Sequence, residues 1–226
     1  MPPKISIITP FLNGLDLLPD FEQATIGAEL ILIDNGSDTA TSDALASLPA
    51  ERGKVIRNEM NIGFAAANNQ GYAHATGDII IFLNSDIAGD PLWLKYVADD
   101  VQDAALYGPS LNRQLVYGIW LPYVEGWCIA ATRKTWGRLC MYTAAGSRRL
   151  QGPWDAFNYP GPYWEDNDLC FRAMEQNISL MQTTWPIQHK GGRSAGPLVR
   201  HGDTFERNRA TFASRVKPMW EKMHDG

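Results

Sequence analysis

The sequence predicts an α/β fold, in which a doubly wound, mostly parallel sheet is flanked by helices within a single domain over residues 1–226. Two observations support this prediction. Short apolar runs alternate with helical stretches along the first part of the chain, which is the pattern of parallel strands joined by crossover helices. The run Asp78–Leu83 is also a near-continuous series of large apolar residues, as expected of a strand buried on both faces.

Four strands and three helices are expected in the first part of the chain, bounded by turn residues. The strands are predicted at Lys4–Pro10, Ala28–Ile33, Gly53–Arg57 and Asp78–Leu83, and the helices at Leu15–Ala24, Ser42–Leu48 and Gly63–Ala75. Because these strands are expected to run parallel, their carboxyl ends should meet at one edge of the sheet.

The pattern changes after Leu92, where shorter elements follow. They are predicted as a helix at Trp93–Gln102, short strands with turns over Leu106–Val124, a strand at Gly126–Ala131, a helix from Tyr163 or Trp164 to Glu175, a strand at Leu180–Gln188, a loop at Gly191–Pro197 and a helix at Asp203–Met223 with Asp203 as its N-cap. Thr143–Tyr163 is rich in Gly, Pro, Trp and Tyr and has no clear period. We expect an ordered, functional loop there, because loops of this length inside a compact domain usually carry function.

The composition excludes several classes of protein. A formal net charge of −5 gives no basic footprint, so no extended nucleic-acid surface is expected and an anionic ligand would have to be held locally. Cys128, Cys140 and Cys170 form no CxxC pair, which indicates reduced thiols and neither a zinc site nor a disulfide framework. No leader and no apolar run near the ~20 residues of a transmembrane segment is visible. We therefore expect a cytoplasmic protein, with peripheral contact at the inner face of the membrane left open.

The tripeptide Asn84-Ser85-Asp86 follows the most apolar of the predicted strands. Open α/β sheets bind ligands in the crevice beyond the carboxyl ends of their strands. Mg²⁺ and Mn²⁺ take oxygen ligands, commonly one or two carboxylates together with substrate phosphates. Asp86 is therefore a candidate anchor for such a cation, and Asn84 a neutral oxygen ligand or a sugar contact. A strand-ending turn is the alternative.

Polar residues also end the first two strands. Thr9, Pro10 and Asn13 lie at the end of the first strand, and Asp34 ends the second. A carboxylate at this edge can accept a hydrogen bond from a base or a ribose hydroxyl. The alternative is an Asx turn, since Asp34 opens a run of turn-forming residues.

The segment Asn58–Asn69 leads into the third predicted helix. Gly63 permits close approach of the backbone to a ligand. The helix N-terminus offers free N–H groups and a favourable dipole to a phosphate or a base carbonyl. Asn61 and Asn69 add polar groups in the same segment, and a helix with small packing residues is the alternative.

Two further groups of chemistry-bearing residues lie downstream. Glu165, Asp166 and Asp168 open a helix, where a carboxylate can take a proton from a hydroxyl; stabilisation by the helix dipole or pairing of Asp168 with Arg172 is the alternative. His189 follows a strand and either ligates a metal or caps local backbone. Beside it, Lys190 and Arg193 flank two glycines and are candidates for contacting a diphosphate.

Seven motifs occur in one order along nearly the whole chain. They are Ile5–Asn13, Ile33–Asp38, Asn61–Gly71, Leu83–Asp86, Glu125–Ala130, Trp164–Arg172 and His189–Ser194, followed by the basic and aromatic segment Arg209–Trp220. Together they resemble the motifs of the family 2 glycosyltransferases, which have the GT-A fold, and most closely the rhamnosyltransferase-like branch. The resemblance implies a role in glycan biosynthesis, with a nucleotide-binding half at residues 1–90 and a C-terminal acceptor-side half at residues 91–226.

The resemblance also implies roles for single residues. The nucleotide-sugar donor would be held by Thr9, Pro10, Asn13, Asp34, Asn61, Gly63, Asn69, Asn84, Ser85, Lys190 and Arg193. Asp86 would bind a divalent Mn²⁺ or Mg²⁺ ion that bridges the diphosphate, with His189 as a possible further ligand. Gly126 and Trp127 would line the sugar pocket. The family's metal motif often has Asp where this chain has Asn84, which weakens the expected metal site.

By the same resemblance, the expected reaction is inverting transfer of the sugar to an acceptor hydroxyl. Asp166 would be the general base, with Glu165 as a neighbour and acceptor contact. Aromatic side chains of the Thr143–Tyr163 loop are candidates for stacking on the acceptor, together with Trp164; they are Trp154, Phe157, Tyr159 and Tyr163. A loop packed by its own aromatic residues is the alternative. A glycan, a lipid-linked sugar or another hydroxyl compound would fit as acceptor.

Other classes of protein fit the sequence less well. An inactive module that binds a nucleotide sugar or a carbohydrate is one alternative, and Asp86 and Asp166 argue against it. A sugar nucleotidyltransferase is less favoured, because Pro10–Gly14 replaces the Gly-rich, basic loop expected after the first strand. A dinucleotide-dependent dehydrogenase is excluded by the lack of a G-x-G-x-x-G fingerprint, and no Walker A loop is present.

Overall fold

A computed structural model of the protein describes residues 2–142, 150–191 and 201–224. Its strands are β1 (Ile5–Phe11), β2 (Glu29–Asp34), β3 (Gly53–Arg57), β4 (Ile79–Leu83), β5 (Ile87–Gly89), β6 (Ala105–Gly108), β7 (Leu111–Val116), β8 (Ile119–Val124), β9 (Cys128–Thr132), β10 (Met141–Tyr142), β11 (Leu150–Gly152), β12 (Ser179–Gln182) and β13 (Ile187–His189). Its α-helices are α1 (Leu18–Ala24), α2 (Thr39–Ala46), α3 (Phe64–Tyr72), α4 (Trp93–Asp100), α5 (Arg133–Leu139), α6 (Glu165–Glu175) and α7 (His201–His224).

Seven strands form the central sheet, in the order β12-β6-β9-β4-β1-β2-β3. β4, β1, β2 and β3 are parallel neighbours, and β12 is parallel to β6. Only β9 runs against its neighbours β4 and β6 within the described sheet. The predicted fold class, a mostly parallel α/β sheet flanked by helices, is therefore confirmed.

Apolar cores lie on both faces of the sheet because the inner strands are apolar on both sides. In β1, Ile7 and Phe11 pack with α1 and α4, whereas Ile8 packs on the opposite face with α3, α5 and α6. Every residue of β4 is buried, as predicted for a strand covered on both faces. A third apolar cluster joins α7 to α6 and to the β7–β8 hairpin through Phe212, Phe171 and Val116.

Three predicted elements differ from the structure. The strand expected at Leu180–Gln188 is two strands, β12 at the edge of the main sheet and β13 paired with β5, because Pro186 between them lacks the N–H that a continuing ladder needs. Helix α5 was not predicted, although Thr132 caps it by accepting a hydrogen bond from the Thr135 N–H. Asp203 lies in the first turn of α7, which already includes His201, and is not its N-cap.

Part of the predicted Thr143–Tyr163 loop has regular structure. Residues 143–149 lie outside the described part of the chain, and β11 pairs with β10 directly after them. All three cysteines are free thiols, as predicted. Among the described residues, no helix is both long and apolar enough to cross a membrane.

Candidate active site

A cleft of about 840 Å³ opens at the carboxyl ends of the central parallel strands. One wall comes from the strand ends and the start of α3, and contributes Pro10, Asn35, Asn61, Gly63, Asn84 and Ser85. The opposite wall comes from β8, the start of α6 and α7, and contributes Tyr123, Glu125, Trp164, Glu165, Asp166 and Phe205. Trp127 and His189 lie in the lining as well. The structure therefore brings the two sequence-predicted groups, at the strand ends and at the start of α6, into one cleft.

A network of asparagines shapes the wall next to β2. Asn35 donates from Nδ2 to Asn61 Oδ1 at 2.8 Å, and its own Oδ1 accepts from the Ile62 N–H at 3.1 Å. Asn61 Oδ1 also accepts from the Gly63 N–H at 2.8 Å. Gly63 has φ 89°, and a Cβ there would lie 2.3 Å from the carbonyl oxygen of Pro160 across the cleft. Only glycine fits this position, so the start of α3 and the opposite wall are held close together.

Three residues predicted to contact the donor are turned away from the cleft. Thr9 is fully buried and shares the face of β1 that carries Ile7 and Phe11. The Asn13 side chain instead accepts a hydrogen bond from the Asp38 N–H. Asp34 is buried in an ion pair with Arg57. At these two strand ends, the residues that line the cleft are Pro10, Phe11, Leu12 and Asn35.

Asp34 serves to stabilise its loop. Burial by itself raises the pKa of this carboxyl, but hydrogen bonds from Ser37 and Ser42 and the charge of Arg57 outweigh that cost and lower the pKa below its usual value. The carboxylate is therefore ionised and committed to protein partners. The predicted direct contact of Asp34 with a ribose does not fit this arrangement.

Asn69 and Trp154 also have structural roles in place of the predicted binding roles. Asn69 is buried, donates from Nδ2 to the Trp154 carbonyl at 2.7 Å, and accepts from the Trp154 N–H at 3.0 Å. The Trp154 ring is fully buried between Phe64 and Phe82, at 5.3 Å from each ring centroid. No face of this ring is open to stack on a sugar, so the predicted substrate contact by Trp154 does not fit the structure.

The aromatic residues of the predicted acceptor loop divide into two groups. Tyr159 is fully buried like Trp154, and both pack into the protein core. Tyr163 lines the cleft, and Trp164 lines it with one edge while its body packs on Phe205 and Phe212. Phe157 is 83% exposed and is absent from the cleft lining. The alternative of a structural role in packing therefore holds for two of the four loop aromatics, Trp154 and Tyr159.

Asp86 and His189 meet at the end of β4. Nε2 of His189 lies 3.0 Å from Oδ1 of Asp86, and the His189 ring stacks on Trp127 with a centroid distance of 5.0 Å and an interplanar angle of 1°. Asn84 Nδ2 lies 3.3 Å from the same Nε2. A 180° rotation of an asparagine amide exchanges the positions of its nitrogen and oxygen. Asn84 can therefore direct its Oδ1 towards the space beside Asp86 and His189.

This donor set fits a divalent cation that is shared with a ligand. Within the described residues, no group of three or more His, Cys, Asp and Glu side chains is placed to hold a metal alone. A carboxylate and an amide oxygen are ligands that suit Mg²⁺ or Mn²⁺ when substrate phosphates complete the shell, and the His189 imidazole would be an additional nitrogen ligand. Ser85 Oγ beside them is buried and finds no hydrogen-bond partner among the described residues.

The predicted diphosphate contact by Lys190 is not brought into the cleft. The Lys190 ammonium pairs with Asp20 on the outer surface, while its backbone N–H donates to the Asp86 carbonyl at 2.8 Å. Lys190 therefore anchors the chain after β13 against the end of β4. Arg193 lies outside the described residues.

Asp166 occupies the first turn of α6 and faces the cleft. Its Oδ2 accepts from the Gly126 N–H at 3.0 Å, and its Oδ1 accepts from the Asn167 N–H at 2.8 Å. Burial raises the pKa of Asp166 to about 6, against the opposing effect of these hydrogen bonds, and the nearby charge of Glu125 adds to the increase. A carboxyl with this pKa is ionised at neutral pH and basic enough to accept a proton.

Glu165 differs from its neighbour in charge state. Burial first, and then the charge of Asp166, raises the pKa of Glu165 well above its usual range. Its Oε2 is buried and without a hydrogen-bond partner among the described residues. Two adjacent carboxyls of different acidity are thus placed in the cleft, one ionised and one favouring the neutral form.

The pH dependence of turnover should report Asp166. We expect kcat/KM to fall tenfold per pH unit below about pH 6 and to level off above it, because a base works only when it is ionised. Glu125→Gln removes a negative charge that raises the Asp166 pKa, so the midpoint of its profile should move to lower pH. A profile without a midpoint near pH 6, or an unmoved midpoint in the variant, would count against this assignment.

A strained turn holds α6 in place. Tyr163 and Trp164 both have left-handed backbone conformations, with φ 78° and 72°, directly before the helix begins. Asn208 of α7 is fully buried, and its Nδ2 donates to the carbonyls of Pro162 at 3.1 Å and Tyr163 at 2.9 Å. Helix α7 therefore fixes the turn that sets the position of Asp166.

Asn208→Ala should weaken catalysis without weakening donor binding. We expect kcat to fall about tenfold, because the turn relaxes and Asp166 loses its orientation. The free energy of unfolding should drop by about 1–2 kcal/mol, the usual cost of leaving buried carbonyls unpaired. Thr211→Ala, one turn further along α7, is the control and should change neither quantity. An unchanged kcat in Asn208→Ala would remove the positioning role.

Several cleft residues were not singled out from the sequence. Glu125 lies in a motif that was recognised, but only its neighbours Gly126 and Trp127 were assigned roles. Its carboxylate accepts from Trp127 Nε1 at 3.2 Å and from Asn112. Asn35 could have been identified from its position directly after Asp34 at a strand end. Consecutive side chains along a strand point to opposite faces of the sheet, so Asn35 faces away from the side on which Asp34 lies.

Comparison with known proteins identifies the family. The model of "Glycosyl transferase family 2" matches residues 6–151, which is well over half of the chain. The chain belongs to glycosyl transferase family 2. The predicted class, a glycosyltransferase, is thereby confirmed.

Curated relatives are similar over a shorter stretch. An undecaprenyl-phosphate 4-deoxy-4-formamido-L-arabinose transferase from Sodalis glossinidius is 29% identical over 99 residues, which is 39% of this chain and 30% of that protein. The protein of the same name from an Enterobacter species is 30% identical over 100 residues, with the same two shares. The match thus spans less than a third of the length of these relatives.

Solved structures share the fold. Glucosyl-3-phosphoglycerate synthase from Mycobacterium tuberculosis, determined with Mn²⁺, UDP and phosphoglyceric acid, superposes with a TM-score of 0.63 at 21% identity, over 94% of this chain and 78% of that one. A mannosyltransferase from Pyrobaculum calidifontis, in complex with GDP-Man and Mn²⁺, gives a TM-score of 0.59 at 15% identity, over 81% and 55% of the two chains. These likenesses identify the GT-A type of α/β fold.

Proposed function

We propose that this protein transfers a sugar, with inversion, from a nucleoside-diphosphate sugar to an acceptor hydroxyl. The observation that supports this proposal best is the pairing of two unlike sites in one cleft. Asp86 and His189 lie at the end of β4, and Asp166 lies on the opposite wall at the start of α6. A site for a diphosphate and a site for a base are the two requirements of such a transfer.

The strand-end wall would bind the donor. Asn35 and Asn61 offer amide groups to a nucleoside, and Asn84, Asp86 and His189 offer a divalent cation its protein ligands. A Mg²⁺ or Mn²⁺ ion bound there would neutralise charge on the diphosphate. Both structural neighbours named above were solved with Mn²⁺ and either a nucleotide or a nucleotide sugar, which supports the same assignment.

The opposite wall would bind the acceptor. Asp166 takes the proton from the attacking hydroxyl. The hydroxyl oxygen bonds to the anomeric carbon on the face away from the diphosphate, while the bond from that carbon to the diphosphate oxygen breaks and the nucleoside diphosphate leaves. Glu165, favouring its neutral form, donates a hydrogen bond to a second acceptor hydroxyl. Trp127 and Tyr163 provide aromatic faces next to this position. The proposed halves, residues 1–90 for the donor and 91–226 for the acceptor, match this division except for His189, which lies in the second half and faces the donor site.

For the acceptor we propose only a chemical class, and for the donor sugar no single compound. The curated relatives are named for undecaprenyl phosphate and an arabinose derivative, which supports a lipid-linked acceptor as one class. None of the relatives named above is a rhamnosyltransferase, so that branch stays a prediction. An inactive binding module is the second candidate, and it would share the donor wall without needing a base.

Binding of nucleoside diphosphates tests the donor site. UDP, GDP, dTDP and CDP should be compared in thermal unfolding with and without Mn²⁺, because a ligand of the native state raises stability by mass action. One nucleotide should raise Tm by several degrees, and more with Mn²⁺. Asp86→Ala should lose the Mn²⁺-dependent part of the shift, and Asp99→Ala, the same change on exposed α4, should keep it. No shift with any nucleotide at millimolar concentration would overturn the proposal, and a shift indifferent to Mn²⁺ would remove Asp86 and His189 as ligands.

A further inference from the structure

The tip of the β7–β8 hairpin is unusually apolar for an exposed turn. Residues 115–120, Leu-Val-Tyr-Gly-Ile-Trp, contain no charged side chain, whereas hairpin turns are normally polar. Leu115 and Trp120 are partners across the two strands and are 47% and 61% exposed. Tyr117, at the turn itself, is 45% exposed. Large apolar side chains grouped in this way indicate a contact surface.

The end of α7 extends this apolar surface. The Trp220 ring lies 5.8 Å from the ring of Tyr117 and stacks on His224, and Met223 nearby on the helix is 62% exposed. Lys217 and Lys222 are exposed on the same part of the helix. Tryptophan and tyrosine flanked by lysine is the composition that proteins place at the boundary between a bilayer and water.

The surface is held rigidly by the fold. On the inner side of the hairpin, Val116 packs in one cluster with Phe212 and Val216 of α7. The hairpin and the helix therefore form one unit, and their backbone is already ordered before binding.

Charge is distributed unevenly between this unit and the rest of the chain. The hairpin and α7 together contain six Lys or Arg and three Asp or Glu residues, a net charge of +3. Within this set Arg215 pairs with Asp155 and Asp168 of the rest of the chain, and Lys217 pairs with Glu221. The rest of the chain carries the remaining 14 basic and 22 acidic residues, a net charge of −8. An anionic bilayer surface attracts such a basic segment, and the acidic remainder of the molecule would be directed away from it.

We propose that the hairpin tip and the end of α7 form a surface that docks on a lipid bilayer carrying anionic headgroups. The cleft adjoins the hairpin part of this surface, since Gln114 and Tyr123 of the hairpin line it. A bilayer is favoured over a second copy of this chain, because two such surfaces would bring like net charges together. A bilayer is also favoured over a soluble glycan, because a polar glycan would not bury the apolar side chains of Leu115 and Met223 or pair with the lysines.

Vesicle co-sedimentation of the full chain tests the proposal. Vesicles of phosphatidylcholine alone are compared with vesicles in which roughly a third of the lipid is phosphatidylglycerol, in low and high salt. The protein should partition onto the anionic vesicles, more weakly onto the neutral ones, and less at high salt. Trp120→Ser should lower partitioning by about tenfold, because it removes a large apolar side chain from the interface. Tyr96→Ser, which removes an exposed aromatic from α4, should leave it unchanged.

Circular dichroism of each variant establishes that it is folded. The double variant Lys217→Glu with Lys222→Glu tests the same surface independently, and its partitioning onto the anionic vesicles should be lower than that of the wild type. No partitioning of the wild type, or equal partitioning of wild type and Trp120→Ser, would overturn the proposal. The proposal would also be overturned if the wild type forms a dimer in sedimentation equilibrium, Trp120→Ser abolishes that dimer, and the wild type does not bind vesicles. The readout is binding, so its failure leaves the proposed sugar transfer intact, and loss of nucleotide binding would leave this surface intact.

Discussion

Asp166→Asn is expected to lower kcat by about 10³-fold while the affinity for the donor changes by less than about twofold. The carboxylate is half-buried in the cleft, is ionised at neutral pH and is oriented by the N–H groups of Gly126 and Asn167. Asparagine has nearly the same shape but cannot accept the proton. Turnover measured by release of nucleoside diphosphate, beside donor affinity from calorimetry, separates these two effects.

Glu165→Gln is the matched control for that variant. Glu165 favours the neutral form already, so an uncharged amide of the same length should keep kcat within about tenfold of the wild type. The two substitutions are adjacent and chemically identical, and only the first removes an ionised base. A loss of similar size in both variants would mean that the helix start, and not the Asp166 base, is what the changes disturb.

Arg172→Ala is expected to reduce the free energy of unfolding by about 3–5 kcal/mol, because it leaves a buried carboxylate without its main partner. Arg172 donates from Nε to Asp168 Oδ2 at 2.8 Å, and from its two terminal nitrogens to the carbonyls of Leu139 and Pro153. Asp168 is fully buried, and its remaining cation is Arg215 of α7. Denaturant unfolding monitored by tryptophan fluorescence measures the change.

The pH dependence of that loss gives the sign of the effect. Burial raises the Asp168 pKa above its unfolded value even with both arginines present. Removing Arg172 raises the Asp168 pKa further. The difference in free energy of unfolding between variant and wild type should therefore become smaller as pH falls and the carboxyl becomes protonated. Arg209→Ala breaks an exposed pair with Glu206 and should cost less than about 0.5 kcal/mol. Equal losses in the two variants would contradict the account of the buried pair.

The first four strands of the fold were predictable because their signals are local. β3 matches its predicted bounds, and the alternation of apolar runs with helices identified the parallel strands in order. The cleft was also predictable in outline, since parallel strands end at one edge, and Pro10, Asn84 and Ser85 at these ends all line it. Family resemblance added Asp166 to this set, on a helix start that the sequence had located.

The rest depended on tertiary packing. Asp34 and Asn35 look equally suited to a ligand in sequence, and only the pleat of β2 and the ion pair with Arg57 decide between them. Trp154 has the composition of a sugar contact, but Phe64 and Phe82 enclose it. Asn208 lies directly before the recognised segment Arg209–Trp220 and outside every motif, and its role depends on carbonyls 45 to 47 residues earlier in the chain.

Release of nucleoside diphosphate from a panel of nucleotide sugars tests the central claim most directly. The full chain should be incubated with UDP-, GDP-, dTDP- and CDP-linked sugars and Mn²⁺, in parallel with Asp166→Asn. The account predicts that the wild type releases nucleoside diphosphate from at least one donor, and that Asp166→Asn binds the same donor but releases product about 10³-fold more slowly. Equal release by both proteins, or binding of a donor without release by either, would contradict it.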